Sequence, residues 1–598
     1  MVFTLKYLSV IIISLFLHVE LLIGRTVIYV RSQEECVDLS DKLLEKIKEG
    51  NNNIDVKFGH GIFRIKEKQL NLEGINAPNV NIRIIGRKTI LIPSGREYYD
   101  GDKYEGNFSP HHSWMFGEKD IDIWSHMRYA VGRVEVLDEN EKICRIKINE
   151  NIPANSDCSK AYILIPHWFR SSIANIVKIE SGYIYFKASD LARSSQSLGR
   201  DYNLNDDYYF GGSKNIRYKL CNVEIEDDCL KIIKDRVCLP KKVSKLREGR
   251  ISNIISFKNS RFASITIKGI NLYGCSGQIY GAALSLSNVE CSFIQIDKCE
   301  FRGIRNQVVS IENTNNVIIQ NSLFSDIYSS CIRTDNACKN TIIKNNSFYL
   351  IGKRLNQSFA MILNGENYYA YGNKIVDFGY GGIGVGVWYK SQKTSPCNGV
   401  IENNTLLYSD IYQTDISNFG LMDGGAIYVW TKNDGLVIRN NRINGYKGLS
   451  MNRGIFCDDG AYNVEITGNI ITGIAKSYCI ESYRKTSVED KNTPGTGIER
   501  SNINVYIHDN IIDGYIRFEG NPDGDNGCIL SNNYQITGCN SSMQSDDISN
   551  VEIKGETVRL EYTGKKNGKI GLSTSSYNTL RKSVIWNYAR KYFIRKRK

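Results

Sequence analysis

The chain has 598 residues, a net charge of +12 and only nine prolines. So little proline fits a chain whose backbone amides are nearly all used in hydrogen-bonded ladders. Sixteen cysteines are present without a CxxC pair or a tight cysteine framework, and neither a glycine-rich phosphate loop nor metal-ligand spacing is visible. These features argue against a dense disulfide scaffold, a nucleotide site and a metal centre.

The N-terminus predicts export. Lys6 precedes a mostly apolar run from Tyr7 to Leu17, which has the length of a signal-peptide core and is short for a membrane span. We therefore predict a signal peptide over residues 1–24, a secreted, periplasmic or cell-surface protein, and no stable membrane insertion. The cleavage region lacks small residues at both expected positions, so an uncleaved anchor is the alternative.

Residues 25–110 are predicted to form an end cap and the first coils of a solenoid. Helical spacing runs from Glu34 to Glu49, followed by strands at Ile54–Phe58 and Ile82–Gly86. An amphipathic helix in this position would close the open end of a stack of coils.

A β-rich insertion is predicted over residues 111–248. Alternating segments at 134–136, 144–148 and 183–186 indicate strands, and either a separate sandwich or a large side loop would fit them. The pairing of the nearby cysteines stays open: Cys221, Cys229 and Cys238.

A short phrase recurs through residues 249–545, anchored mostly on Asn, with an apolar residue three before it and another two after it. Successive anchors lie 22 to 41 residues apart, a spacing typical of solenoids. The phrase alternates with period two and breaks at Asn, Gly and Asp, which predicts strands and turns, whereas helical or leucine-rich repeats need a different lattice. The anchors are Ile270, Cys299, Asn321, Asn346, Asn373, Asn404, Asn441, Asn469 and Asn510.

These coils predict an all-β fold, a right-handed single-stranded parallel β-helix. One coil cannot bury its apolar residues alone, so the coils stack at roughly 4.8 Å and share one core. An Asn corner tolerates left-handed backbone and can hydrogen-bond along a ladder of like residues. We expect Cys299 and Cys457 to fill core or ladder positions. Residues 546–598 are predicted to be a C-terminal cap and a basic tail.

The repeat also predicts which side chains point away from the core. Ile427 and Ile455 lie fourteen residues before their anchors and point inward, and Ile480 starts the next such strand. Alternation then predicts two outward columns on successive coils. One column holds Trp430, Asp458 and Tyr483, and the other holds Tyr428, Phe456 and Glu481.

Aromatic rings stack on pyranose faces and carboxylates do acid and base work, so these columns predict a saccharide-binding cleft. Asp458 is expected to face outward and Asp459 to close the turn, because neighbouring strand residues point to opposite sides. The alternatives are that Asp459 and Asp423 are only turn residues, and that Glu481 and Arg484 form only a surface ion pair. The other candidate substrate contacts are Arg453 and Trp388.

With the phrases at 422–428 and 453–460, the chain resembles the pectate-lyase-like superfamily of right-handed parallel β-helix proteins, and within it exported glycoside hydrolases. The resemblance covers most of residues 25–545 outside the insertion. It implies that paired acids on neighbouring coils are catalytic, here Asp423 with Asp458 or Asp459, without a cofactor. The Asn-Thr-Asp, Asp-Asp, Gly-His-Gly and Arg-Ile-Lys series of polygalacturonases is absent, which argues against pectin hydrolysis.

Three functions stay open on the sequence, with hydrolysis first. A polysaccharide lyase would use Lys or Arg, often with Ca²⁺, on a uronate; Arg484 and the net positive charge favour it, whereas the acidic columns do not. The third is a non-catalytic glycan-binding or adhesin solenoid. In each case we predict a monomer that binds an oligo- or polysaccharide and no nucleic acid.

Overall fold

The computed structural model shows a chain built almost entirely of β-strands, with short helices near its two ends. Most strands belong to one long stack of parallel coils, which an antiparallel module interrupts. The structure describes residues 24–66, 69–98, 113–116, 119–120, 130–138, 143–147, 161–166, 171–187, 215–226, 229–232, 235–238, 246–249, 253–275, 282–305, 307–352, 358–386, 397–408, 424–430, 433–445, 453–458, 461–474, 478–483, 503–519, 528–537, 548–549, 552–554, 558–566 and 569–595.

The predicted N-terminal helix is present, but it lies between the first two coils and not before them, because Thr26–Val30 already pairs with Asn53–Phe58. A 3-10 turn at Glu34–Cys36 leads into an α-helix at Leu39–Lys48, which buries Leu39 and Leu43 against the stack. Within the described residues no helix is long and apolar enough to cross a membrane. The predicted signal peptide lies outside the described residues, apart from Gly24. The first strands are Thr26–Val30, Asn53–Phe58, Gly61–Ile65, Asn71–Glu73 and Asn76–Pro93.

Each later coil contributes one strand to each of three parallel sheets, so the predicted parallel β-helix is confirmed. Ile255–Tyr273 runs through all three sheets. Sheet 1 then contains Ala282–Glu290, Gln307–Glu312, Ile332–Thr334, Phe359–Leu363, Gly381–Val385, Gly425–Trp430, Arg453–Asp458, Ile480–Tyr483, Ile516–Glu519 and Ile548–Ser549. Sheet 2 contains Phe293–Asp297, Val317–Gln320, Ile342–Lys344, Tyr369–Tyr371, Val400–Glu402, Leu436–Arg439, Tyr462–Thr467, Ile503–His508, Ile529–Ser531 and Glu552–Lys554. Sheet 3 contains Glu300–Arg302, Leu323–Ile327, Ser347–Ile351, Lys374–Val376, Thr405–Leu407, Arg442–Asn444, Ile470–Thr472, Ile511–Ile512, Tyr534–Thr537 and Val558–Lys566.

The predicted asparagine ladder is present at the corner between sheets 2 and 3. Asn404 shows the pattern: its Nδ2 donates to Asn441 Oδ1 at 3.0 Å and to the carbonyl of Ala370 at 2.9 Å. Its backbone N–H donates to the same Oδ1 at 2.9 Å. The ladder thereby satisfies polar groups that the coils bury. Its members, all buried, are Asn346, Asn373, Asn404, Asn441, Asn469, Asn510 and Asn533.

Two details of this ladder differ from the prediction. The left-handed residue is the one before the ladder residue, as at Asn403 and Asn440, and not the ladder residue itself. Asn321 is such a left-handed residue, with φ 53°, so the ladder position on that coil belongs to Ser322. The Ser322 backbone N–H donates to Asn346 Oδ1 at 2.9 Å. The anchor assigned to Asn321 was therefore wrong by one residue, because both positions favour small polar side chains.

A second asparagine ladder, which the sequence analysis missed, lies exposed at the corner between sheets 1 and 2. Asn504 Nδ2 donates to Asn463 Oδ1 at 2.8 Å, and Asn463 Nδ2 donates to Asp434. These corner residues do adopt left-handed backbone, with φ 51° at Asn463 and 53° at Asn504. The same bonds link Asn259 to Asn288 and Asn340 to Asn367 lower in the stack.

None of the eleven cysteines whose side chains the structure describes forms a disulfide, and all of them except Cys291 are buried. Cys299 and Cys457 fill core positions as predicted, and burial raises the pKa of the Cys299 thiol to about 12. Phenylalanines stack along the same core, with ring centroids 4.7 Å apart for Phe301 and Phe324. The core is thus a continuous apolar column.

The insertion contains a closed antiparallel barrel, which is neither the sandwich nor the side loop that the sequence suggested. Six strands pair in a ring, because the first and last of them also pair with each other. Two further strands, Cys229–Ile232 and Asp235–Cys238, extend the last one as a hairpin in which Cys229 faces Cys238 in register. Four short strands join the module to the stack: Gly95–Tyr98, Ser113–Phe116, Lys119–Asp120 and Leu246–Gly249. The barrel order is Ala161–Pro166, Ser171–Glu180, Tyr183–Lys187, Ile143–Lys147, Ala130–Asp138 and Asn215–Glu226.

The C-terminal residues form a cap on the outer side of sheet 3. Strand Lys569–Leu572 is followed by helices Thr574–Arg581 and Trp586–Ala589 and by strand Phe593–Arg595. Their apolar side chains pack on Ile470 and Ile511, which point outward from the stack. Arg442 completes the contact, with its guanidinium 4.6 Å from the ring centroid of Tyr592. Most of the basic end is therefore packed against the coils.

Candidate functional site

Sheet 1 carries the two predicted columns in the predicted register. Trp430, Asp458 and Tyr483 are neighbours on three successive coils. Tyr428, Phe456 and Glu481 form the adjacent column on the same coils. The inward residues Ile427, Ile455 and Ile480 are fully buried. The Asn-anchored repeat therefore predicted the alternation correctly; we call these sets the Asp458 column and the Tyr428 column.

Asp458 and Tyr428 form the central contact of this region. Tyr428 Oη donates a hydrogen bond to Asp458 Oδ2 at 2.8 Å, joining the two columns across one coil step. Asp458 and Trp430 are both partly exposed, whereas Tyr428 is buried. A hydrogen bond donated to a carboxylate stabilises its ionised form. Asp458 is thus held as an oriented carboxylate beside an accessible indole ring.

The Tyr428 column is buried, which corrects the expectation that it lies open to solvent. Phe456 is fully buried, with the Arg453 guanidinium 3.9 Å from its ring centroid. The Tyr428 ring contacts Phe456 edge-on at 5.5 Å and Tyr380 at 5.5 Å. These rings pack on one another, so they support the Asp458 column from behind.

Glu481 lies in a buried ion-pair cluster with Arg453 and Arg517, while Arg484 lies outside the described residues. Arg453 Nε and Arg517 Nη1 donate to its two carboxylate oxygens, the latter at 3.0 Å. Burial raises the pKa of Glu481, while the two arginines act in the opposite direction. Removing one partner from such a cluster would leave a buried charge uncompensated. Arg453, Glu481 and Arg517 therefore link three successive coils.

Four predicted site residues lie outside the described residues: Asp423, Asp459, Arg484 and Trp388. For Tyr483 the structure gives the backbone register only. Gly425 is level with Arg453, five residues before Asp458 on the neighbouring strand. Five strand residues span roughly 16 Å, so the strand that follows Asp423 begins at the far end of the sheet from Asp458.

Glu519 is an acidic residue that the sequence analysis did not consider. Its neighbour Phe518 is level with Ser482, which places Glu519 on the coil after Tyr483 at the position of the Asp458 column. Two coil steps correspond to roughly 10 Å between the backbones of Asp458 and Glu519. The signal could have been found by extending the repeat one coil further, to Ile516 as the inward residue.

Sheet 2 carries a second group of aromatic and charged side chains, which the sequence analysis also missed. The His508 imidazole bridges two carboxylates: Nδ1 lies 2.8 Å from Asp509 Oδ2 and Nε2 lies 3.1 Å from Glu465 Oε1. The ring of Tyr506 stacks on that imidazole with centroids 4.0 Å apart. Lower on the same sheet, Glu402 accepts hydrogen bonds from Tyr369 and Arg439.

The His508 bridge predicts a pH-dependent contribution to stability. Burial lowers the pKa of His508, but the hydrogen bonds to Glu465 and Asp509 outweigh it and raise the pKa overall. A raised folded-state pKa stabilises the fold fully below the unfolded value of about 6.5, and this stabilisation is lost as pH rises through the folded value. The melting temperature of wild type should therefore exceed that of His508→Gln most at about pH 6, and this excess should shrink by about pH 8.5.

The matched control for this experiment is His60→Gln, at an exposed histidine of an early coil. Because this side chain is exposed, its substitution should leave the melting temperature close to that of wild type at both pH values. If the difference in melting temperature between wild type and His508→Gln grows from pH 6 to pH 8.5, the prediction is wrong.

Among the described residues, no group of three or more His, Cys, Asp or Glu side chains is arranged to hold a metal ion. The Ca²⁺ that a lyase would use stays a prediction from the sequence.

No protein-family model and no curated protein matches the sequence. Among solved structures, a glycoside hydrolase matches with a TM-score of 0.50 and 12% identity, over 76% of this chain and 94% of its own. The periplasmic alginate epimerase AlgG matches with a TM-score of 0.36 and 10% identity, over 89% of this chain and 83% of its own. A mutant tailspike protein of E. coli bacteriophage HK620, in complex with a pentasaccharide, matches with a TM-score of 0.32 and 12% identity, over 51% of this chain and 57% of its own. At 12% identity the likeness to the glycoside hydrolase shows the fold alone, and together with the long parallel sheet it confirms the predicted resemblance to parallel β-helix proteins.

Proposed function

We propose that the protein is a glycoside hydrolase that binds an oligo- or polysaccharide along sheet 1 and cleaves it at Asp458. The observation that carries this proposal is the 2.8 Å hydrogen bond from Tyr428 Oη to Asp458 Oδ2, next to the partly exposed Trp430. An indole face can stack on a sugar ring, and a fixed carboxylate beside it can act on the anomeric carbon. The predicted signal peptide would bring the enzyme to polymers outside the cytoplasm.

Asp458 takes the role of the ionised carboxylate. The Tyr428 hydroxyl stabilises its charge, which suits a nucleophile or a base that activates water and does not suit a proton donor. The leaving oxygen then needs a second, protonated carboxyl group. Asp458 therefore supplies the nucleophile or base, and the proton donor has to be a different residue.

We propose that the proton donor is a carboxyl group next to Asp458 in the chain or in the Asp458 column. Asp459 follows Asp458 directly, and Glu519 lies two coils away on the same column. Side chains from backbones roughly 10 Å apart can reach the separation of roughly 6.5 to 9.5 Å used by inverting enzymes. Asp423 is the less favourable donor because of the strand register. Single substitutions test the three candidates: Asp459→Asn, Glu519→Gln and Asp423→Asn. The variant that loses cleavage activity identifies the proton donor.

The deciding experiment is a screen of the wild-type protein on neutral and acidic plant and host glycans. New reducing ends without ultraviolet absorbance support the hydrolase. An unsaturated product that absorbs in the ultraviolet would show that the protein is a lyase and not a hydrolase. Arg453 is unsuited to be the base of such a lyase, because it binds the buried Glu481. Retention of a glycan without any cleavage would establish a binding protein instead.

Tyr428→Phe is expected to move the pH profile of cleavage. The variant keeps the buried ring and removes the donor to Asp458, so the ionised form of Asp458 is less stable and the acid limb of kcat/KM shifts to higher pH. The shift is measured from initial rates across pH on one substrate. Tyr380→Phe, in the same ring cluster, is the control and should keep the wild-type limb. Equal profiles for Tyr428→Phe and wild type would exclude Asp458 as the base or nucleophile.

A further inference from the structure

Sheet 2 presents the aromatic and acidic pattern that was expected on sheet 1, and presents it to solvent. Tyr506 is 37% exposed, whereas the outward residues Glu481 on the same coil of sheet 1 and Phe456 one coil earlier are fully buried. Glu465 is partly exposed beside Tyr506 on the preceding coil. The side chains of sheets 1 and 2 point to different sides of the coil, so this surface is separate from Asp458.

The ring of Tyr506 is held in place by its neighbours. His508 stacks on it, and the Tyr506 hydroxyl lies 3.2 Å from Ser531 Oγ on the next coil. His508 is itself fixed by Glu465 and Asp509. A ring that is already immobilised loses little entropy when a ligand stacks on it. Its exposed area therefore offers a preformed platform.

The platform continues down the stack. Tyr369, Val400, Val437, Glu465 and Tyr506 are successive neighbours in one column. The first and the last are four coil steps apart, roughly 19 Å. The adjacent column places Arg439 and Glu402 as an ion pair at 3.0 Å beside the valines. An elongated strip thus has a tyrosine at each end and charged hydrogen-bonding groups along one side.

We propose that this strip is a second saccharide-binding surface, which holds a long glycan chain away from the cleavage site. We define it by Tyr369, Glu402, Arg439, Glu465, Tyr506 and His508. A pyranose has an apolar face that stacks on a tyrosine and hydroxyl groups that bond to carboxylate and guanidinium groups, which matches the strip. The choice of a saccharide as the ligand rests on the proposed function.

Affinity gel electrophoresis in soluble polysaccharide tests this surface, with Asp458→Asn as the background so that no polymer is cut. Adding Tyr506→Ala should weaken retention roughly two- to tenfold, the range of an aromatic stacking contact. Adding Tyr506→Phe should leave retention near the background value, because the ring remains. Tyr29→Ala, at a 51% exposed tyrosine of the first coil, is the matched control and should bind normally. Unchanged retention of Tyr506→Ala would overturn the inference.

Kinetics in the active protein separate this inference from the proposed function. Tyr506→Ala should lower kcat/KM on the long polymer roughly two- to tenfold and leave it unchanged on a short oligosaccharide that reaches only sheet 1. Cleavage with equal loss on both substrates would overturn the second surface and keep the hydrolase. Retention that depends on Tyr506 without any cleavage would keep the second surface and overturn the hydrolase. If the wild-type protein neither binds nor cleaves any glycan in the screen, both the second surface and the proposed hydrolase are wrong.

Discussion

Asp458→Asn is expected to lower the rate of glycan cleavage about a thousandfold, within the range that a positioned acid or base contributes. The amide keeps the size of the side chain and still accepts a hydrogen bond from Tyr428 Oη, but it cannot attack the anomeric carbon or take a proton from water. Binding should survive, since Trp430 and the strip on sheet 2 are untouched. The measurement is kcat on the glycan that the screen identifies, together with retention of the same glycan.

Asp434→Asn is the control for this variant. Asp434 lies one coil before Asp458 in the exposed ladder, where it accepts a hydrogen bond from Asn463. An amide in its place continues the ladder, so kcat should equal that of wild type. A kcat above one tenth of the wild-type value in Asp458→Asn would remove Asp458 from the chemistry.

Asn441→Ala is expected to destabilise the stack by about 3 kcal/mol. The substitution removes the acceptor for the Asn404 backbone and side-chain N–H groups, and the donor to Ile401 O and Asn469 Oδ1. These groups are buried and would be left without those partners. The loss is measured from the midpoint of urea unfolding, followed by circular dichroism.

Two matched variants isolate the ladder as the cause. Asn463→Gly removes the same side chain from the exposed ladder, where water replaces the bonds and glycine suits the φ of 51°. It should change stability by no more than about 0.5 kcal/mol. Asn441→Ser should cost less than Asn441→Ala, because Ser322 already serves in this ladder. Equal losses at Asn441 and Asn463 would refute this account.

Much of the fold follows from the sequence, because stacked coils repeat one local pattern. The period-two alternation placed Ile427, Ile455 and Ile480 inside, and counting from them gave both columns in the correct register. The Asn ladder was predictable because a buried amide both donates and accepts, and so satisfies two neighbouring coils at once. The positions of strands and corners thus depend on the residue pattern within a single coil, and this pattern can be identified in the sequence.

Exposure was not predictable in the same way. Alternation shows that Phe456 points away from the core, but its burial depends on Arg453 and on rings from other coils. Glu481 has the same outward position and is paired with Arg517, a residue 36 positions away. The exposed Tyr506 occupies an equivalent outward position on sheet 2. Pointing outward and being accessible are separate properties, and only the first is encoded within a repeat.

The insertion has a consequence for how the stack can assemble. Asn76–Pro93 pairs directly with Ile255–Tyr273, so two adjacent coils are separated by more than 160 residues of chain. Strands Gly95–Tyr98 and Leu246–Gly249 pair at the base of this loop. An uninterrupted solenoid can grow from neighbour to neighbour, but here growth across this step requires closing a long loop, which is slow. A barrel that has already folded would shorten that loop to the width of two paired strands. We therefore expect the barrel to fold first, then the junction and then the joined coils.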